Sequence, residues 1–156
     1  MSRLSEIPIR IEVGADGLAG SPAPAFSGGL GGGVAAILME LAGLLDQLAA
    51  TQVPAAIDLR SLPMSPENRL ELEQVLGVGE VRATVDAAGV STVRETGISG
   101  IWWLEHRDAR GELIAEFLEV AQVPQILGNA TDEIAAAAHA LRKQISEGEK
   151  PMPGRN

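Results

Sequence analysis

Four apolar residues in a row, Ile101-Trp102-Trp103-Leu104, stand among segments that alternate like β-strands, and they limit the fold more than any other feature. Successive strand side chains point to opposite faces, so Ile101 and Trp103 point one way and Trp102 and Leu104 the other. Glu112 to Val123 repeats the pattern, with Ile114, Leu118 and Val120 opposing Leu113, Ala115 and Phe117. An antiparallel sheet with one wet side is polar on that side. A sheet that is apolar on both faces needs cover on both, from the rest of the chain or from a partner.

The remaining pattern supplies the other elements. Ile7 to Val13 alternates as a strand with one buried face. Gly14 to Gly33 turns to Gly, Ser, Pro and Ala and reads as a flexible arm. Val34, Ile37, Leu38, Leu41, Leu44, Leu45 and Leu48 form one stripe of a helix over about 34–50. Ala55 to Leu59 is a short buried strand. Ser65-Pro66-Glu67 opens a second helix, with Ser65 as cap, and Gly77 stands where such a helix ends. Glu80 to Ala87, Val90 to Thr96, Ile101 to Arg107 and Glu112 to Val123 read as consecutive antiparallel strands, the last two joined by an Asp108-Ala109-Arg110-Gly111 turn. A last helix, about 132–147, is expected to turn Ile134, Ala138, Leu141 and Ile145 inward. The expected class is α+β, an antiparallel sheet of about four strands with helices packed on one face. Residues 1–33 form a strand and arm, 34–147 the folded domain, and 148–156 a flexible tail.

Composition narrows the chemistry. A chain of 156 residues, 46% hydrophobic and 21% charged, can bury a core. Its net charge of −9 and lack of any basic run argue against nucleic acid and favour a cationic partner. With no cysteine there is no disulfide, thiolate zinc or iron–sulfur site, and His106 and His139 lie on separate elements. No cofactor or metal is expected. The first ten residues hold no secretory signal, and Val34 to Ala50, broken by Glu40, Asp46 and Gln47, falls short of a membrane span. A cytoplasmic protein without membrane insertion is the expectation.

No residue set points to catalysis. Gly28-Gly29-Leu30-Gly31-Gly32-Gly33 precedes a helix but lacks the Lys-Ser/Thr of a phosphate loop, so it reads as a hinge. Asp58 and Arg60, two apart on a strand, share a face and can pair with each other or hold a partner peptide. Arg94 and Glu95 take opposite faces. His106 lies on the side of Trp102 as an edge histidine, and His139 reads as structural. No serine sits in a Gly-x-Ser-x-Gly elbow, and no acid–base pair or triad assembles. The chain is not expected to be an enzyme. The two tryptophans must face opposite sides: one fills the helix-packed core, and the other either suits a binding anchor or packs into a core on its own face.

Several blocks, in their order and spacing, resemble a known family. They are Ile57-Asp58-Leu59-Arg60-Ser61-Leu62-Pro63, Leu76-Gly77-Val78-Gly79-Glu80-Val81, Arg94-Glu95-Thr96, Gly100-Ile101-Trp102-Trp103, Glu119-Val120 and Val123-Pro124. Over about 34–127 the chain resembles the C-terminal region of HupH/HyaF hydrogenase expression proteins. The resemblance implies a dedicated chaperone for an uptake [NiFe]-hydrogenase that binds the small-subunit precursor, which carries iron–sulfur clusters and a twin-arginine leader, together with other maturation proteins. Trp102, Trp103, Asp58, Arg60, Glu80, Glu95 and Glu119 are the expected partner contacts. Full-length relatives look like two related halves, so a single half is expected to pair as a homodimer. A scaffold subunit retained in the finished hydrogenase complex and a small-ligand-binding protein are the alternatives.

Overall fold

The computed structural model describes residues 9–13, 29–86 and 88–148. The chain divides into two compact units, the first ending at Pro124 and the second beginning at Gln125.

The first unit is an antiparallel sheet with two helices. Its strands are β1 (Ile9–Val13), β2 (Ala55–Asp58), β3 (Val81–Asp86), β4 (Val90–Glu95), β5 (Ile101–Arg107) and β6 (Leu113–Val120). They lie in the order β1-β3-β4-β5-β6-β2, every pair antiparallel. The middle is a meander. Gly111, with φ +84°, and the Asp108 carboxylate, which accepts from the backbone N–H groups of Arg110 and Glu112, close the hairpin between β5 and β6. The class is α+β as expected, with six strands where about four were anticipated. Both additional strands pair far along the chain, β2 placing Ile57 against Leu118.

α1 (Gly32–Thr51) and α2 (Pro66–Leu76) cover one face. Val34, Ile37, Leu41 and Leu48 of α1 and Leu72 and Leu76 of α2 pack with Ile57, Leu59, Ile101, Trp103, Leu118 and Val120. Removing this much apolar surface from water is the main stabilising term of the unit. α1 has 20 residues, so by length and composition alone it could cross a membrane. Its Val34–Leu48 stripe is nonetheless core. α2 begins as its sequence dictates: the Ser65 hydroxyl accepts the Asn68 N–H at 3.2 Å, and Pro66 occupies the first turn. Gly77 ends it with φ +66°.

The second unit holds α3 (Thr131–Gly148), whose first turn carries Asp132 and Glu133. The expectation that Ile134, Ala138, Leu141 and Ile145 turn inward is corrected: no residue of α3 is buried, and Ile134, Leu141 and Ile145 are exposed. Periodicity identified the apolar stripe, but periodicity does not establish that a stripe is covered. The arm over 14–28 and the tail over 149–156 lie outside the described residues.

Candidate functional site

The tryptophan pair divides between the faces as the alternation requires. Trp103 is 1% exposed in the helix-packed core, paired across the sheet with Arg94 and Leu118. Trp102 pairs with Glu95 and Glu119 on the other face, is 7% exposed, and donates its indole N–H to the Ala121 carbonyl at 3.0 Å. Of the two readings open for the second ring, its burial matches core packing on both faces. Val93, Ala83, Val85 and Leu104 on the face of Trp102 are buried as well, while Phe117 and Ala115 on that face are half-buried.

Around Trp103 lies a charged cluster that the sequence alone did not single out. Glu116, only 4% exposed, accepts the Trp103 indole N–H at 2.8 Å and three further bonds from the Arg69 guanidinium. Arg69 also reaches Glu105 at 3.1 Å and Glu73 at 3.7 Å. Glu73 pairs with Arg94, and Glu105 with Arg107 at 3.0 Å. The guanidinium carbons of Arg94 and Arg69 lie over the Trp103 ring, 4.5 and 5.3 Å from its centroid. The hydrogen bond to Glu116 holds the Arg69 guanidinium above its ordinary value, partly offset by desolvation. The one signal for this cluster in the sequence was Glu116 itself, an acid between apolar neighbours on a strand whose same-face residues include Leu118 and Val120. Its meaning depends on α2, which brings Arg69 from 47 residues away.

The polar residues expected to contact a partner are scattered. Asp58 and Arg60 are exposed but do not form the side-chain pair considered for them. β2 ends at Asp58, whose carboxylate accepts the Arg60 backbone N–H at 2.9 Å, while the Arg60 guanidinium bonds the Leu113 carbonyl. The chain turns into a 3-10 helix at Leu59, so the shared strand face is lost. Glu80 is exposed, and its backbone N–H donates to the Glu95 carboxylate at 3.1 Å. Glu119 is buried and engaged. Asp58 and Arg60 thus mark one edge of the sheet, and Glu80 and Glu95 the region where β3 and β4 meet.

His106 lies on the Trp102 face as expected, with Nδ1 2.8 Å from the Ser91 hydroxyl and its ring edge-on to Phe117 at 5.9 Å. Among the described residues no three His, Cys, Asp or Glu side chains are placed to hold a metal ion. Every buried side-chain nitrogen and oxygen among them has a partner.

Residues 33–147 match the family described as HupH hydrogenase expression protein, C-terminal conserved region. The chain belongs to this family. HoxQ of Azotobacter vinelandii, a hydrogenase expression/formation protein, is 34% identical over 94 residues, 60% of this chain and 33% of its own length. HupH of Rhizobium leguminosarum bv. viciae, with the same description, is 32% identical over 124 residues, 78% of this chain and 41% of its own. The chain thus spans well under half the length of these relatives. A solved structure, the hydrogenase expression protein HupH from Thiobacillus denitrificans, is 37% identical with a TM-score of 0.70, and the match covers 74% of this chain and 97% of that one. Within the HupH C-terminal family, Trp102-Trp103 is a packing feature of this chain's sheet.

Proposed function

We propose that this chain is a cytoplasmic accessory protein for the assembly of a [NiFe] uptake hydrogenase, that it binds the small-subunit precursor without catalysing a reaction, and that it pairs with a second copy. The match of residues 33–147 to the hydrogenase expression family carries this reading. The same description in HoxQ and HupH supports the process, and the solved HupH chain shares the fold. A protein of net charge −9 without cysteine complements an arginine-bearing leader and takes no cluster iron from a precursor. Arg69, Arg94, Glu73, Glu105 and Glu116 are paired with one another, which leaves the exposed polar residues for a partner. Trp102 and Trp103 act in this reading through the sheet they hold together, while Asp58, Arg60 and Glu80 are the exposed contacts.

The test is capture of a tagged chain from a hydrogenase-producing host, with the small subunit identified by its mass. Recovery of the uncleaved precursor, and its absence from complexes with finished enzyme, is the expected result. Recovery only with mature enzyme establishes the scaffold role instead, and recovery of no hydrogenase subunit overturns the proposal.

A further inference from the structure

We draw no further inference here: the strongest candidate, the exposed apolar seam of Ile134, Leu141 and Ile145 along α3 of the second unit, carries nothing because nothing in the structure shows what covers it.

Discussion

A carboxylate with 4% of its surface exposed persists in a sheet only when its lone pairs are satisfied, and Glu116 meets that condition through Trp103 and Arg69. Glu116→Gln keeps the size and can still accept the indole N–H, but it removes the charge opposite Arg69. Because the Arg69 side chain is 36% exposed, water takes up part of that loss. The expected cost is about 1–3 kcal/mol, read from urea unfolding; an unchanged midpoint would show that the cluster contributes nothing. Protonated Arg69 is favoured by folding, so this stabilisation holds through neutral pH and fades only as pH rises through the raised guanidinium range. The tryptophans give a second test. Trp102→Ala and Trp103→Ala should each cost about 3–5 kcal/mol, because each removes a buried ring. A ring serving only as a docking anchor would leave unfolding unchanged. At this scale the sequence revealed which way each ring points, because alternation is local. It did not reveal that both are buried, since that depends on residues distant in the chain.

At the level of elements, α2 shows how much a short sequence can dictate. Ser65, Pro66 and Glu67 were legible as a helix start, and the structure places each where its chemistry requires. Ser65→Ala should lower stability by about 1 kcal/mol through loss of the cap. Glu67 is held below the ordinary carboxylate range by the backbone N–H at its own position and then by Ser65. A depressed carboxylate stabilises the fold above its unfolded value and loses that effect as pH falls through the folded one. An acid titration of Glu67→Gln, followed by helical circular dichroism, should therefore show a shallower acid limb than the parent chain. An identical limb would remove Glu67 from the account. Strand pairing was less legible. β3 runs over Val81–Asp86, inside the alternating Glu80 to Ala87 stretch that predicted it, because a period of two is written into neighbouring residues. The pairing of β2 with β6 joins residues some sixty positions apart, and no local pattern encodes a partner at that range. This is why the sheet was undercounted. Gly79 shows the same limit. A Cβ there would lie 2.6 Å from the Thr96 carbonyl oxygen and 2.7 Å from the Glu95 side chain, a closeness that arises only once β3 and β4 are joined. Gly79→Ala should cost about 1–3 kcal/mol in thermal unfolding.

For the whole molecule, one number makes opposite demands on the two associations proposed for it. Each copy carries −9, so pairing two copies brings like charge together, whereas meeting an arginine-bearing precursor brings unlike charge together. At physiological ionic strength the Debye length is about 8 Å, short enough for added salt to screen charges on facing surfaces. Self-association should therefore strengthen as salt rises, with light scattering moving toward twice the 16.2 kDa of one chain at micromolar concentration. Precursor capture should weaken over the same range. Replacing Asp58 and Glu80 by lysine should weaken capture about two- to fivefold, the scale of exposed charge pairs, and flatten its salt dependence. A monomeric mass at every salt concentration removes the paired-copy account and leaves the client account standing. Capture that is indifferent both to salt and to these two charges removes the electrostatic account of the client and leaves pairing standing. Because the slopes have opposite signs, a single salt series measured on both associations separates the two proposals.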